Sequence, residues 1–409
     1  MVRPGYKQTE VGVIPEDWTV RSLGSCAQLK NGYAFKSSTY TPLGDYRVVT
    51  IANVQDGYME VSESNRIADL PSDVQSHHSL EIGDVLISMT GNVGRVCRVD
   101  TPRCVLNQRV GKLVPTGVDS TFLFHLLRQQ RFRTAMTVKA KGGAQGNLSV
   151  RDIIDFPFPI PPIADEQEAV AGALSDADAL IESLVELIAK KRQIKQGTMQ
   201  ELLTGKTRLP GFTGEWKVES VGNLGNCFAG GTPSTTRSEF WDGSIYWLQS
   251  GRIQNCILEH PLESDRRITP LGLENSAARL VRPEAVLVAI TGATCGNVAL
   301  LEFAAAANQS VVAIEPNPSV SSRYLYYAML MKRNEILALR GGSAQGGTNL
   351  KSMKTIHVCI PAHSEQKAIA ATLFDMDLDI AVSEAKLAKA RQIKQGMMQE
   401  LLTGRIRLV

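Results

Sequence analysis

A long internal repeat is the feature that most constrains the fold of this chain. Thirteen of the fourteen residues from Arg192 to Gly205 (RQIKQGTMQELLTG) recur from Arg391 to Gly404 (RQIKQGMMQELLTG). Solenoid units run about 20 to 50 residues, so a period near 200 requires each repeat to be a domain with its own core. Shorter matches keep the same order in both halves: Trp18 with Trp216, Asn107-Gln108 with Asn308-Gln309, Ala144-Gln145-Gly146 with Ala344-Gln345-Gly346, and Glu166-Gln167 with Glu365-Gln366.

Composition favours a globular protein. The chain has 409 residues, of which 43% are hydrophobic, and no run approaches the roughly 18 apolar residues of a membrane span. The N-terminal residues lack the apolar stretch of a signal peptide, so we expect a cytoplasmic location. Seven cysteines form no C-x-x-C pair and leave an odd count, which argues against a disulfide framework or a zinc site.

Each repeat divides into a strand-rich region and a helix. Short β-type runs such as YRVVTIANV and DVLISMTG alternate with glycine and asparagine turns, and one helical patch is expected near residues 122–136 and again near 323–339. The predicted fold is α+β, with two similar globular domains joined by two long antiparallel helices in a pseudo-twofold repeat. The predicted segments are residues 1–162 (first globular domain), 163–205 (first helix), 206–361 (second globular domain) and 362–409 (second helix and C-terminal tail).

Apolar residues at alternating spacings of four and three predict that the helices pair through a heptad seam. The seam weakens at Lys195 and Lys394. In the alternative interpretation, each apolar stripe packs only on its own globular domain. The seam positions are Val170, Leu174, Ala177, Ile181, Leu184 and Ile188 in the first helix, and Ile369, Leu373, Met376, Ile380, Ser383, Leu387 and Ala390 in the second.

Two similar domains held at a fixed separation suit bipartite recognition of a repetitive partner such as DNA, whose helical repeat makes separation and phase matter. The net charge of +3 and the pI near 8.4 support this only moderately. Basic clusters usually form solvated faces, but exposed backbone amides of glycine-rich loops favour phosphate contact. The clusters around the two glycine-rich loops are Arg128, Arg131, Arg133, Lys139, Lys141 and Arg151, and Lys332, Arg333, Arg340, Lys351 and Lys354.

Catalytic signatures are missing. Gly205-Lys206-Thr207 ends like a phosphate-binding loop, but it closes a predicted helix and Gln200 replaces the first glycine. The six histidines have no metal-ligand spacing. The sequence therefore predicts neither a recognised active site nor a metal site, and DNA binding remains the expected function. The alternatives are a protein-bridging scaffold that does not read DNA and a DNA-modifying enzyme with an unrecognised site.

Several motifs together resemble the specificity subunit of type I restriction-modification systems: YKQTEVGVIPEDW, GGTPSTTRSEFWDG, the helix starts PPIADEQ and IPAHSEQ, and the duplicated RQIKQGxMQELLTG. The resemblance covers nearly the whole chain. It implies that each globular domain is a target recognition domain for one half of a split site in double-stranded DNA, and that the helices set the spacer. It implies that the subunit itself is noncatalytic and has no cofactor of its own. It also implies two partner methylase subunits that use S-adenosylmethionine, and restriction subunits that use ATP and magnesium.

The near-identical helix ends would then be equivalent docking sites for two methylase subunits. The alternative is that the same side chains pack against the neighbouring domain. The residues concerned are Arg192, Lys195, Gln196, Met199 and Leu202 in the first helix, and Arg391, Lys394, Gln395, Met398 and Leu401 in the second.

The repeat also sorts candidate DNA contacts. Residues identical in both halves cannot explain two different recognised sequences, so Asn107, Gln108, Asn308, Gln309, Gln145 and Gln345 are candidates for folding or phosphate contact. Base-reading residues should lie where the halves differ, and polar side chains suit base edges in the major groove. These candidates are Lys30, Asn31, Lys36, Ser37, Tyr40, Arg95 and Arg109 in the first domain, and Thr232, Ser234, Thr236, Arg237, Gln249 and Arg252 in the second. Lys139, Lys141 and Lys351 are further candidates for DNA contact.

Overall fold

The computed structural model describes residues 2–141, 147–340 and 346–408, with the side chain of Lys141 excluded. The chain forms two compact units. Unit 1 consists of residues 1–185 and 385–409, and unit 2 of residues 186–384. Each unit therefore combines one globular region with parts of both long helices. The four consecutive segments predicted from the sequence stay a prediction, because the compact units describe how the chain packs and not where its sequence domains begin and end.

Unit 1 contains two four-stranded sheets. The main sheet has the antiparallel order β4-β11-β8-β9, and the second has the order β6-β5-β10-β7 with β5 and β10 parallel. The strands are β1 (Tyr6–Thr9), β2 (Gly12–Pro15), β3 (Thr19–Ser22), β4 (Ala27–Asn31), β5 (Tyr46–Val49), β6 (Arg66–Ile67), β7 (Ser79–Leu80), β8 (Val85–Ser88), β9 (Val96–Arg98), β10 (Cys104–Leu106), β11 (Val110–Pro115) and β12 (Pro157–Ile160). The helices are α1 (Ser120–Leu127), α2 (Gln130–Lys141), α3 (Val150–Ile154) and the long α4 (Ala164–Leu203), which continues into unit 2.

Unit 2 repeats this plan. Its main sheet has the order β14-β22-β19-β20-β16, and its second sheet the order β17-β15-β21-β18 with β15 and β21 parallel. The strands are β13 (Lys217–Ser220), β14 (Gly225–Ala229), β15 (Trp241–Leu248), β16 (Cys256–Leu258), β17 (Arg266–Ile268), β18 (Leu280–Val281), β19 (Ala285–Ala289), β20 (Val298–Leu301), β21 (Ala305–Ala307), β22 (Val311–Pro316) and β23 (His357–Ile360). The helices are α5 (Val221–Leu224), α6 (Pro270–Glu274), α7 (Ser322–Met331), α8 (Arg333–Ala338), α9 (Leu350–Lys354) and the long α10 (His363–Leu401).

The central strand of each main sheet is buried on both faces, which explains its continuous apolar sequence. Successive side chains of a strand point to opposite faces. Val85 and Ile87 of β8 accordingly pack into the helical core, whereas Leu86 packs into a second core with β10. In unit 2, Val286 and Leu287 of β19 divide between two cores in the same way.

Every position of the predicted seam along α4 and α10 is buried or half-buried. Within unit 1, Lys394 of α10 contacts Asp178 of α4, and Arg407 after α10 contacts Glu166 near the start of α4. In these contacts a lower residue number in α4 is paired with a higher residue number in or after α10. The two helical segments of unit 1 therefore run antiparallel. Lys195 contacts Asp377, and Arg208 contacts Glu365, in the same antiparallel sense within unit 2.

The stripe also packs on the globular regions, so the two interpretations of the seam both hold in part. Val170 and Leu174 belong to the core of unit 1 together with Leu401 from the end of α10, while Ile369 and Leu203 belong to the core of unit 2. The α+β fold with two similar strand-rich regions and two long helices is as the sequence predicts. Among the described helices, none combines the length and the apolar character needed to cross a membrane.

Candidate nucleic-acid interface and helix-end surfaces

In unit 2, four loops leave the sheets at one common edge. The pairs Ala229↔Val312 and Ala289↔Val311 align the end of β14, the start of β22 and the end of β19. In the second sheet, Leu248 lies beside Ala307 in parallel register, which brings the loop after β15 to the same edge. We call residues 230–240, 249–255, 290–297 and 308–310 the loop edge of unit 2.

Unit 1 has the matching arrangement. Asn31 pairs with Gly111, and Ser88 pairs with Val110, so the loops after β4 and β8 lie beside the turn before β11. The parallel partners β5 and β10 both end there as well. We call residues 32–40, 50–58, 89–95 and 107–109 the loop edge of unit 1. Each unit therefore presents loops of different sequence from the same positions of a similar scaffold.

One glycine in each unit permits this arrangement. A Cβ atom on Gly32 would lie 2.1 Å from the carbonyl oxygen of Asn107, and one on Gly230 would lie 2.2 Å from the carbonyl oxygen of Ala307. No side chain fits at such distances, so the loop after the first strand of the main sheet can cross the turn before β11 or β22 only at glycine.

Most base-reading candidates of unit 1 gather at its loop edge or at the strand end beside it. Lys36 and Ser37 are exposed, and Tyr40 is half-buried. Lys30 and Asn31 form the end of β4, with Asn31 exposed. Arg109 is exposed on the turn before β11. The guanidinium of Arg95 already has a partner within the unit, since its Nη1 donates a hydrogen bond to Gln55 Oε1 at 2.6 Å.

The unit 2 candidates also lie at its loop edge. Gln249 is exposed, and the hydroxyls of Ser234 and Thr236 are 2.9 Å apart. The Thr232 hydroxyl donates to Gln309 Oε1. Two arginines have carboxylate partners: Arg237 Nε lies 2.8 Å from Glu239 Oε1, and Arg252 Nε lies 3.2 Å from Asp265 Oδ1.

Among the residues identical in both halves, the two asparagines hold the turns of the loop edges. The Asn107 amide donates to Val49 and its carbonyl accepts from Val110, while Asn308 makes the equivalent bonds to Leu248 and Val311. Any residue type can make these backbone bonds, so the role of the asparagines in folding or in phosphate contact stays a prediction. Gln108 and Gln309 are exposed. Gln145 and Gln345 lie outside the described residues.

The basic cluster predicted in unit 1 is largely engaged within the unit. Arg128 Nη1 lies 2.8 Å from Asp178 Oδ2, and Arg133 Nη1 lies 2.5 Å from Asp56 Oδ2. Arg131 donates to the Pro157 carbonyl at 2.7 Å, and Lys139 Nζ lies 3.6 Å from Asp152. Carboxylates at least 50 residues away in sequence supply two of these four partners. The described part of this cluster is therefore not a free basic patch, although Arg151 stays exposed, as do Lys351 and Lys354 of the second cluster.

The lysines of the repeated segment form ion pairs with half-buried aspartates on the facing helix. Lys394 Nζ donates to Asp178 Oδ1, and its side chain is 7% exposed. Lys195 Nζ donates to Asp377 Oδ1, and its side chain is 17% exposed. The third member of each network differs: Asp178 also accepts from Arg128, whereas Asp377 accepts from the Tyr327 hydroxyl at 2.7 Å.

Burial governs the electrostatics of the unit 1 network. Burial raises the pKa of Asp178, but Arg128 and Lys394 outweigh it, so that this pKa lies below its ordinary value. Burial and the charge of Arg128 lower the pKa of Lys394, against the pull of Asp178. Burial and the charge of Lys394 lower the pKa of His125 to about 3, and its Nε2 lies 3.0 Å from Ser175 Oγ. His125 is therefore neutral at physiological pH.

A second network also occurs in both units. In it, an arginine just after the end of one long helix contacts a glutamate near the start of the other long helix. Arg407 Nη2 donates to Glu166 Oε2 at 2.8 Å, and the Trp18 indole donates to the same carboxylate at 3.3 Å. The equivalent contacts join Arg208, Glu365 and Trp216 at 2.6, 2.7 and 3.2 Å. We call these the Trp-Glu-Arg clamps of unit 1 and unit 2.

The docking residues predicted at the helix ends separate into two groups. Leu202 and Leu401 are 5% exposed and belong to the cores of their units, and Met199 and Met398 pack against those cores. Together with the paired lysines, these six side chains favour the packing alternative, because their position along the helix faces the interior. Exposed side chains remain at Arg192, Gln196, Arg391 and Gln395.

A cleft of about 1590 Å³ opens beside the end of α10 in unit 1. Four of the predicted docking residues line it, namely Arg391, Lys394, Gln395 and Met398. The opposite walls come from α1, α2 and the stretch of α4 that includes Asp178 and Val185. The two exposed helix-end residues of unit 1, Arg391 and Gln395, therefore lie on one concave surface.

Sequence reasoning did not select the partners in these networks. Asp178 and Asp377, and likewise Arg208 and Arg407, are identical residues at the same offset of 199 as the repeated helix ends. The shared offset is therefore the sequence signal that could have identified these aspartates and arginines as members of the two repeated networks. Trp241 and Trp247, which contact the loop edge of unit 2, have no such signal, because the first half carries no tryptophan at the matching positions. The described residues contain no group of three or more acidic, histidine or cysteine side chains arranged to hold a metal ion.

The family model for the type I restriction modification DNA specificity domain matches this chain twice, at residues 15–195 and 213–392. The chain therefore belongs to the family of type I restriction-modification DNA specificity proteins, and it carries two copies of the domain. Each match covers the strand-rich region of one unit and most of the long helix that follows it.

Similar proteins cover half of the chain or nearly all of it. The MjaX specificity subunit of Methanocaldococcus jannaschii is 24% identical over 98% of this chain and 97% of its own length. The type I restriction enzyme MjaVIII specificity subunit of the same organism is 28% identical over 50% of this chain and 49% of its own. The crystal structure of the type I restriction-modification S subunit from M. genitalium has the same fold, with a TM-score of 0.60 at 18% identity over 97% and 98% of the two chains.

Proposed function

We propose that this chain is the DNA-specificity subunit of a type I restriction-modification complex and that each unit reads one half of a bipartite site in double-stranded DNA. The observation that carries the proposal is the pair of loop edges. Similar sheets display different polar side chains from the same edge, as two readers of different sequences require. Arginine, lysine, asparagine and glutamine side chains suit base edges in the major groove.

The long helices fit a spacer in this function. α4 has 40 residues and α10 has 39, which corresponds to roughly 60 Å at 1.5 Å per residue. Each helix begins in one unit and ends in the other. In the proposed complex the helix length sets how many unread base pairs separate the half-sites.

The subunit itself is noncatalytic in this proposal and acts in the cytoplasm. Two methylase subunits bind S-adenosylmethionine and modify adenine in each half-site, and restriction subunits supply ATP- and magnesium-dependent cleavage. The exposed helix-end residues Arg192, Gln196, Arg391 and Gln395 are the proposed methylase contacts. The cleft beside Arg391 supports docking in unit 1, because it exposes Arg391 and Gln395 on a concave surface that a partner of complementary shape can fill.

The test is to coexpress the chain with its methylase subunit in a host free of adenine methylation and to map methylated adenines across the genome. A split motif with a fixed gap, lost when this chain is omitted, is the expected result. A stable complex without methylation would favour a protein-bridging scaffold. Methyl transfer by the purified chain alone would favour an enzyme with its own active site.

A further inference from the structure

Two tryptophans of β15 donate hydrogen bonds to the backbone of residues 230–237, the first loop of the loop edge of unit 2. The Trp247 indole Nε1 donates to the Gly231 carbonyl at 2.8 Å, and the Trp241 indole Nε1 donates to the Ser234 carbonyl at 3.0 Å. Both side chains are buried. The loop they hold, residues 230–237, carries four of the unit 2 base-reading candidates.

The tryptophans form a rigid platform. Their rings meet edge to face, with centroids 5.1 Å apart at 89°. The guanidinium of Arg266 lies 3.7 Å from the centroid of the Trp241 ring. Both rings pack in one core with Phe240 and Ile268. Each indole N–H is therefore held in place by packing on its ring.

The loop has little freedom to move away from this platform. The Gly231 amide donates to the Ala307 carbonyl at 2.8 Å, and a Cβ atom on Gly231 would lie 2.2 Å from the carbonyl carbon of Ala277. The backbone around Gly231 is thus fixed from three sides: by β21, by the segment before β18 and by Trp247. The positions of the side chains at Thr232 and Ser234 follow from that of the backbone.

Unit 1 supports its equivalent loop differently. The chain has four tryptophans, and the other two belong to the clamps. In unit 1 the core beneath the loop contains Phe35, with Tyr33 and Tyr46 packed against it, and the Tyr33 hydroxyl donates to Asp73 at 2.8 Å. The indole contacts are therefore specific to one of the two loop edges.

We propose that Trp241 and Trp247 are positioning residues for DNA recognition by unit 2, because they set the conformation of residues 230–237 through their indole N–H groups. This inference rests on the proposed function. Base discrimination depends on polar groups held within a few tenths of an ångström of hydrogen-bonding geometry. A loop released from the platform reads the same half-site with less discrimination.

The test uses Trp247→Phe in the complete complex with the methylase, followed by genome-wide mapping of methylated adenine. Phenylalanine keeps an aromatic ring in the core and removes the donor to Gly231. We expect methylation at sites with one mismatch in the unit 2 half-site to rise about tenfold relative to the cognate site, as loss of one hydrogen bond implies. The half-site of unit 1 stays unchanged. Gln249→Ala identifies which half-site belongs to unit 2.

The matched control is Trp216→Phe. It also removes an indole N–H in unit 2, from the clamp carboxylate of Glu365, but it does not touch the loop. We expect both half-sites to keep their sequence in this variant. If a tryptophan has only a structural role, its substitution lowers methylation at all sites. If it positions the loop, its substitution reduces sequence discrimination in the unit 2 half-site only, so the two roles give different methylation maps.

Trp241→Phe provides a second variant that removes the donor to Ser234. An unchanged motif in both loop variants would overturn the inference, and so would a loss of methylation at every site in both. Equal relaxation in the Trp216→Phe control would overturn it as well. If the wild-type chain directs no bipartite methylation, this result contradicts the proposed function itself. It is distinguishable from a failure of the inference about the tryptophans, which requires a wild-type motif for comparison.

Discussion

Lys394 of α10 donates a hydrogen bond to Asp178 of α4 within unit 1, and the lysine is buried while the aspartate is half-buried. The same pair recurs in unit 2 as Lys195 and Asp377. A heptad pattern treats a lysine at this position as a break in the seam. Here the aliphatic stem packs in the seam while the ammonium reaches a carboxylate on the facing helix. Each pair fixes the register of the antiparallel segments, because a shift by one turn would leave a buried charge without its partner.

The buried His125 predicts a pH-dependent loss of stability in unit 1. Its pKa falls from the ordinary value of 6.5 to about 3 in the folded chain, because of burial and the nearby Lys394. The unfolded chain therefore takes up a proton below pH 6.5 that the folded chain refuses, so stability decreases as the pH falls from 6.5 toward 3. At pH 5.5 the loss is about 1.4 kcal/mol.

His125→Gln removes this titration. Comparing urea unfolding at pH 7.5 and 5.5, we expect the wild type to lose about 1.4 kcal/mol more than the variant. Asp178 keeps its charge over that range, because its lowered pKa lies below the window. His260→Gln, at an exposed position, is the control and should follow the wild type. Equal pH dependence in wild type and His125→Gln would contradict the assignment.

The clamp of unit 1 predicts a large effect from a residue near the C-terminus. Glu166 is fully buried and accepts bonds from Arg407 and Trp18. Arg407→Met leaves the carboxylate with only the indole donor, and we expect a loss of about 2 kcal/mol in the free energy of unfolding. Chemical unfolding followed by circular dichroism measures it. Arg405→Met is the matched control, since Arg405 is 61% exposed and lies 3.5 Å from Glu400. Similar midpoints for the two variants would show that the clamp does not stabilise the unit.

The elements that the sequence predicts well are those with a periodic or repeated signal. The offset of the repeat predicts two domains, and the four-three spacing from Val170 to Ile188 predicts a long helix with a buried seam. Partners of charged residues could not be predicted in this way. Arg128 is part of a basic run in the sequence, yet it pairs with Asp178, 50 residues away. Such pairing depends on which elements the fold brings together, and no local pattern encodes it.

For the candidate DNA contacts, too, the sequence predicts some properties and not others. Their position in loops follows from turn residues, whereas the state of each guanidinium depends on its surroundings. Arg109 is exposed, but Arg252 has a carboxylate partner in Asp265. The platform of Trp247 beneath the unit 2 loop was also beyond sequence reasoning, because a buried tryptophan is typical of any core.

Arg109 tests the loop edge of unit 1 directly. We expect Arg109→Ala to weaken methylation about tenfold or to relax one position of the unit 1 half-site, because an arginine contact to a base or phosphate is lost. The unit 2 half-site should keep its sequence. Arg103 provides the control: it precedes β10, at the opposite end of the sheet from Arg109, and it is 67% exposed. An effect of Arg103→Ala equal to that of Arg109→Ala would place DNA contact elsewhere.

Arg391 tests the proposed methylase contact. It is exposed in the cleft of unit 1, so Arg391→Glu reverses a charge without removing a core residue. We expect weaker retention of the methylase subunit in a pull-down at moderate salt, with an unaltered melting temperature of the isolated chain. Lys389→Glu alters an exposed position on the same helix that does not line the cleft. Equal retention by both variants would argue against docking at this surface.

An insertion in α4 tests the spacer. Ala189 is exposed and lies close to the division between the units at residues 185 and 186. Four added residues lengthen the helix by about 6 Å, or roughly one turn, without entering either strand-rich region. We expect the mapped motif to gain unread base pairs between its half-sites while both half-sites keep their sequence. The control is the same insertion after Gly214, in the loop between α4 and β13, which leaves the helix length unchanged and should leave the gap unchanged. A changed half-site, or an unchanged gap in the α4 variant, would show that the helices do not set the spacing.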